Sequence, residues 1–406
     1  MSRHQTLVLL TVINLFNYID RWMIAAVIPS MQTDLSLSNT QAGMIMSAFM
    51  LGYFMTSPFF GYLADRANRI FLVTGGTVVW SVATFVSGWG RGFLSIAGAR
   101  TAVGVGEAST VSAGQSLIGD LYSGPQRNQV MAFFTAAIPV GAALGFVLGG
   151  ILEHHWGWRV AFFVSAAPGL ILAALLMTRR EPSRGGVEKS QQKAGGFQNF
   201  AGDLSILWKN KSYVWTVFGY TAYTFTLGGF ASWAAAYLVK VRGVPLHEAD
   251  TLFGAITVLT GTAGSLAGGF FSAKALRRTP YGDLKFVAWT TAAAIPFAFG
   301  AFMLPQKSGF LVCIALTEFL LFLGQPAVNV VIIERAGPFL MGTATALSVF
   351  TIHLLGDFLS PTLVGFLADH FNLEFGILIL PTALVPATFF YWRAFLLSPD
   401  PTRQAN

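Results

Sequence analysis

The sequence predicts an all-α polytopic membrane protein, with twelve transmembrane helices in two six-helix bundles. Three observations carry the prediction. The first is composition: of 406 residues, 54% are hydrophobic and 11% charged, whereas soluble globular chains are about 25% charged. One water-soluble core could not hide that much apolar surface, and a disordered chain would not carry it. The second is run length. The apolar residues come in stretches near the ~20 residues that cross a ~30 Å hydrocarbon layer, not in the short alternating segments of an outer-membrane barrel. The third is the placement of Lys and Arg, which gather on alternate connections.

Taken in order, the apolar runs are 6–29, 41–63, 71–89, 93–119, 128–151 and 159–178, then 213–239, 248–273, 284–304, 309–333, 340–368 and 375–396. The connections are short except between the sixth and seventh runs. There the chain reads RREPSRGGVEKSQQKAGG from Arg179, rich in charge, Gly and Ser. This predicts a linker over 179–212, with bundles at 1–178 and 213–406. Phe197 to Trp208 reads as an interfacial helix within it. Six runs on each side of one polar linker suggest an internal duplication.

With the N-terminus inside, 18 of the 25 Lys and Arg residues fall on the inner side and five on the outer. Arg21 and Arg100 lie within spans. The bias puts both termini in the cytoplasm and absorbs the net charge of +7, so a nucleic-acid partner is not required. The single cysteine, Cys313, allows no internal disulfide and no Cys-based metal site. The first run contains Asp20 and Arg21 and is longer than a signal-peptide core, so it reads as a span.

Charge inside the runs is the informative anomaly, because one central Asp, Lys or Arg costs about 2.5–3.5 kcal/mol on insertion scales. The first run holds Asp20 and Arg21, the fourth Arg100 and Glu107, the tenth Glu318, the eleventh His353 and Asp357. Arg100 and Glu107 are two turns apart, about 10 Å along one face, too far to pair with each other. Counted from the outer ends, Asp20 lies ~13 Å deep and Arg100 ~10 Å deep, so the two meet if their helices are neighbours. Glu107 sits deeper, with only Arg21 as a nearby cation, and is the candidate proton carrier. The alternative is an ion-pair network that simply pins helices together. His353 and Asp357, four apart, share a face; they could relay protons or bridge to a neighbouring helix.

Between the second and third runs stands GYLADRANR, Gly61 to Arg69. Its spacing resembles the signature loop of the major facilitator superfamily. In that family Asp65 would sit against the positive N-terminal end of the eleventh helix, and Asp65, Arg66, Arg69, Asp120 and Arg127 would form a cytoplasmic gate. The fourth run's RTAVGVGEAS and the sixth run's WGWRVAFFV also match. So does PVGAALGFVLGG in the fifth, where Gly141, Gly145 and Gly149 make a smooth face expected at the bundle interface. The equivalent loop of the second half, GGFFSAKALRR, lacks the Asp.

FNYIDRWMIAAVIP (Phe16 to Pro29) together with RTAVGVGEAS resembles the Spinster family. The resemblance implies a proton-dependent secondary transporter of lysophospholipid or a phosphorylated sphingoid lipid, probing both membrane sides by alternating access. It assigns proton coupling to Glu107, Asp20 and His353. It assigns substrate binding to Asp20, Arg21, Arg100, Glu107, Tyr220, Tyr223, Glu318 and Asn329, in a cavity lined by spans one, four, seven and ten. Such a protein needs no cofactor and no metal and works as a monomer; the compact loops and short tails point to a bacterial inner membrane. Its partners are protons, a small amphipathic lipid and the bilayer. A proton-coupled drug or organic-anion carrier would use the same scaffold. A non-transporting sensor would need neither titrating pair nor latch. An enzyme is not expected, for want of a nucleotide loop, a metal spacing or a soluble domain.

Overall fold

In the computed structural model the described residues are 3–64, 67–122, 124–181, 200–278, 282–336 and 340–398. They are helical almost throughout. In the first half come α1 (Arg3–Leu35), α2 (Asn39–Ala64), α3 (Arg69–Gly88), α4 (Phe93–Leu121), α5 (Gly124–Trp156) and α6 (Trp158–Met177). The short α7 (Phe200–Lys209) precedes α8 (Lys211–Lys240), α9 (Leu246–Arg278), α10 (Gly282–Met303) and α11 (Lys307–Ala336). The eleventh predicted span is α12 (Met341–Ile352), a π turn over His353–Asp357, and α13 (Leu359–His370). The twelfth is α14 (Leu373–Gly376) with α15 (Ile379–Leu396).

Among the described residues, ten helices are long and apolar enough to cross a membrane. With α4 and α8, which stand outside that set, the rods number twelve. Several overrun the predicted limits: α1 by three residues at one end and six at the other, α5 by four and five. Those extra turns are polar and need no hydrocarbon, so hydropathy alone misses them. Within the stretch expected to hold an interfacial helix, Phe197–Trp208, the described residues form α7, with Leu207 buried and Ile206 and Trp208 exposed.

The described residues pack as two compact units, Met1–Gln192 with Ala231–Ala255, and Lys193–Phe230 with Ile256–Asn406. In the first, α4 is the central rod. Glycine lets its backbone touch two neighbours: a Cβ on Gly104 would lie 2.0 Å from the Phe49 carbonyl oxygen of α2, and one on Gly106 2.6 Å from that of Gly76 in α3. Gly52 of α2 meets the Thr101 carbonyl oxygen at the same 2.0 Å. The α5 glycine face, expected at the bundle interface, lies instead on α1. Gly141 meets Leu15 and Tyr18, Gly145 meets Ile19 and Trp22, Gly149 meets Met23 and Ala26. It is the neighbouring Gly150 that reaches α9, at His247 and Asp250. The α5–α6 turn is made by Gly157 at φ 83°, a conformation glycine adopts without penalty.

Candidate functional site

The first unit brings four charged side chains together at the crossing of α1 and α4. Asp20 and Arg21 are adjacent on α1 and therefore point about 100° apart around the helix. Arg100 and Glu107, two turns apart on α4, meet one each. Arg100 Nη1 donates to Asp20 Oδ2 at 3.1 Å, with both side chains fully buried. Ser165 Oγ of α6 stands 3.3 Å from the other Asp20 oxygen and 3.2 Å from the Phe162 carbonyl oxygen, with one hydrogen to serve either. Arg21 donates to Glu107 Oε2 through Nη2 at 2.5 Å and Nε at 3.1 Å.

The two pairs differ in solvation. Glu107 is fully buried, but the Arg21 side chain keeps 10% of its surface exposed. Arg21 is caged by π faces, its guanidinium carbon 4.6 Å from the ring centres of Tyr18 and Phe49 and 5.1 Å from that of Tyr53. Such contacts suit a planar cation. The network is incompletely satisfied. Glu107 Oε1, Arg100 Nε and Nη2, and both amide atoms of Asn17 have no hydrogen-bond partner among the described residues. Buried polar atoms left open in this way carry a desolvation cost, and of these only the Glu107 oxygen can also take a proton.

The chain as a whole is similar to known proteins. The model of the Major Facilitator Superfamily matches residues 10–361. Human protein spinster homolog 1 is 33% identical over 381 residues, covering 88% of this chain and 71% of the relative. The sphingosine-1-phosphate transporter SPNS2 of Danio rerio is 32% identical, covering 88% and 74%. The chain belongs to the Spinster family of the major facilitator superfamily. A crystal structure of a bacterial homolog of the human lysosomal transporter spinster superposes with a TM-score of 0.87 at 23% identity. It covers 98% of this chain and 99% of the other. This Spinster-family chain is thus a multi-pass membrane transporter, and the α1–α4 charges lie within the stretch that the family model spans.

The second unit of the transporter holds the remaining candidates, Tyr223 standing between Tyr220 and Glu318. Tyr220 and Tyr223 of α8 are buried, with ring centres 5.8 Å apart. The Tyr220 hydroxyl is within interaction reach of the Gln325 and Asn329 side chains of α11. Glu318 of α11 is turned toward α9, where it faces Thr257 and Thr260. His353 Nδ1 pairs with Asp357 at 3.0 Å within the π turn of the eleventh span.

Of the residues expected at the gate, Arg69 and Asp120 have described side chains. Asp65 and Arg66 lie outside the described residues, as does the side chain of Arg127. Arg69, at the start of α3, is buried and joins three partners: Asp120 at 2.5 Å, Glu181 at 2.8 Å and Ser116 Oγ at 3.0 Å. Glu181 was not among the sequence candidates. It sits 112 residues from Arg69 in an otherwise polar stretch, and no periodicity signals such a pairing. Two further polar groups at the α1–α2 end also went unseen. Lys240 Nζ donates to Gln32 Oε1 at 2.6 Å and Asn39 Oδ1 at 3.0 Å. Asp250 is fully buried, its oxygens without a hydrogen-bond partner among the described residues.

Proposed function

We propose that this protein is a proton-coupled secondary transporter that moves lysophospholipid, or a closely related amphipathic phosphate-bearing lipid, by alternating access. The observation that carries the reading is the Arg21–Glu107 pair: a buried carboxylate with one open oxygen, bonded to a cation that is still partly exposed. Protonating Glu107 removes the charge that holds Arg21. The freed guanidinium then offers a planar set of donors to a phosphate, for which arginine geometry is suited. Deprotonation reverses the exchange. One carboxylate thus trades a proton for an anion at a single cation, which is the minimum chemistry that coupling requires.

The Asp20–Arg100 pair, fully buried and braced by Ser165, holds α1 and α4 in register and sets the field around Glu107. His353, with Asp357, is a further station for protons. Tyr220, Tyr223 and Asn329 supply the second unit's own aromatic and amide surface for the remainder of the substrate. Asp65, Arg66, Arg69, Asp120 and Arg127 act as the cytoplasmic gate. In this reading the chain is a monomer with six-helix bundles at 1–178 and 213–406. Both termini lie in the cytoplasm of a bacterium whose inner membrane houses it. It uses protons and lipid, and no nucleic acid or cofactor.

The energetics are adequate. One charge crossing 100 mV is worth ~2.3 kcal/mol, enough for roughly fiftyfold accumulation at ~1.4 kcal/mol per decade. The names of two relatives fit a lipid cargo: the SPNS2 protein above, and a probable sphingolipid transporter, spinster homolog 3, of Arabidopsis thaliana at 32% identity. The test is reconstitution into liposomes with an imposed pH gradient. Fluxes of lysophosphatidylethanolamine, a carboxylate and a cationic dye are compared for wild type and Glu107→Gln. Gradient-driven lysolipid flux that disappears in the variant is the expected result. Full gradient-driven flux in Glu107→Gln refutes the coupling role, and flux of the dye or carboxylate alone refutes the lipid.

A further inference from the structure

We propose that Glu318 is a second proton-binding site, built wholly within the second unit and independent of Glu107. The argument rests on the hydrogens available around its carboxyl group. Thr257 Oγ1 stands 3.2 Å from Glu318 Oε1 and donates to it. Thr260 Oγ1 has two neighbours, the Ile256 carbonyl oxygen at 2.8 Å and Glu318 Oε2 at 3.1 Å. A threonine hydroxyl carries one hydrogen, and a backbone carbonyl can only accept. The single hydrogen of Thr260 cannot serve both acceptors; turned to Ile256, the nearer oxygen, it makes the i−4 bond common to threonine in helices.

Its lone pair then faces Glu318 Oε2. An ionised carboxylate would set two acceptors against each other at that distance. A carboxyl bearing its proton on Oε2 donates instead, and the chain Glu318 to Thr260 to Ile256 is complete.

The surroundings agree. Glu318 is almost fully buried, and among the described residues no Lys, Arg or His pairs with it. The groups that face it are hydroxyls from two helices: Thr257 and Thr260 of α9, and Tyr223 of α8, which is within electrostatic reach. The Tyr223 hydroxyl is itself buried with no hydrogen-bond partner among the described residues. A bare carboxylate here would be an uncompensated buried charge, which proteins avoid by neutralisation. The close approach that creates the site is sequence-encoded. Gly261, Gly264 and Gly268 of α9 meet Phe322, Phe319 and Leu323 of α11, so the α9 hydroxyls are pressed onto the carboxyl.

The proposal does not depend on Glu107 or on any transported lipid, and it is tested without a flux assay. Infrared spectra of the full-length protein in lipid nanodiscs are recorded at neutral pH in H2O and D2O. Thermal unfolding is followed in parallel to verify folding. Glu318→Gln preserves the geometry, since an amide donates to Thr260 and accepts from Thr257 as the neutral acid does. It is expected to fold and to lack one carbonyl band of a protonated carboxylic acid, while Glu107→Gln keeps that band. Thr260→Val should keep the band and move it to higher frequency, because the carboxyl proton loses its acceptor. A folded Glu318→Gln protein whose carboxylic-acid region matches wild type overturns the proposal. So does loss of a carboxylate band in its place. If Glu318→Gln does not fold, an unmoved band in Thr260→Val overturns it equally.

Discussion

Removing Asp20 probes the interior of the first unit most directly. Asp20 and Arg100 are each fully buried, 3.1 Å apart. At that separation two unit charges attract by about 5 kcal/mol at an effective dielectric of ~20. Asp20→Ala deletes the attraction and leaves an arginine in the interior with Nε, Nη1 and Nη2 all unmatched. Breaking a buried pair in this one-sided way typically costs 3–5 kcal/mol. Replacing both partners by apolar residues of similar volume is far gentler, and often neutral. The single variants Asp20→Ala and Arg100→Leu should therefore each lower the thermal midpoint strongly. The double variant Asp20→Leu/Arg100→Leu should recover most of the loss, giving a coupling of at least ~2 kcal/mol, large against the ~0.5 kcal/mol additivity error of independent sites. The assay is thermal unfolding in lipid nanodiscs, read by size-exclusion fluorescence, for the four-member cycle. If the double variant loses the sum of the two singles, the pair is not a coupled buried unit, and the reasoning that places α1 against α4 through it fails.

Backbone crossings give a sharper all-or-none test. Gly104→Val and Gly52→Ala each force a Cβ onto a carbonyl oxygen 2.0 Å away and should abolish monodisperse protein. Gly98→Ala meets nothing within 4 Å and should be neutral or stabilising by about 0.5–1 kcal/mol through helix propensity; expression and chromatography separate the outcomes. Arg69→Gln strips three partners at once, whereas Glu181→Gln weakens one, so thermal unfolding should rank Arg69→Gln as clearly the more damaging. The Asp34–Arg159 bridge joins side chains that are 46% and 39% exposed. Asp34→Asn should leave the midpoint close to wild type in the same assay, since solvent-exposed pairs contribute little.

The rods were legible in the sequence because hydrocarbon thickness imposes a length on each apolar run. Even α4 and α8, less apolar than the rest, kept the length and the short connections of spans. What remained hidden was finer than hydropathy. The π turn at 353–357 leaves no trace in residue type, since His, Leu, Leu, Gly and Asp are all at home in an ordinary turn. The glycines of α5 announced a close crossing but not its partner, because smoothness describes one surface only. Of the charged site, the meeting of Asp20 and Arg100 followed from depth counting alone. Arg21 was named beside Glu107 only as a nearby cation, and its aromatic cage needed coordinates, since Tyr18, Phe49 and Tyr53 come from two helices. The hydroxyls around Glu318 stayed invisible for the plainest reason. Threonines bonded to their own helix look alike in sequence whether or not a carboxyl group faces them.

The π turn in the eleventh span has a mechanical corollary. Phe358 N–H reaches back to the His353 carbonyl oxygen at 3.0 Å, a wider loop than the usual thirteen-atom ring, and so the rod carries one residue beyond the regular count. Everything beyond Asp357 is thereby phase-shifted by about 100° relative to an uninterrupted helix. The crowding there is tight on the α8 side: a Cβ at Gly356 would strike Thr224, and one at Gly228 would strike Asp357. Excising a single residue from 353–357 would restore the plain winding and leave Ser360, Val364 and Ala368 on the interior face they now occupy, because the wide turn absorbs just that one residue. Rewinding the wide turn as plain α-helix with no residue removed would instead turn the half-rod beyond it by about 100° about its own axis.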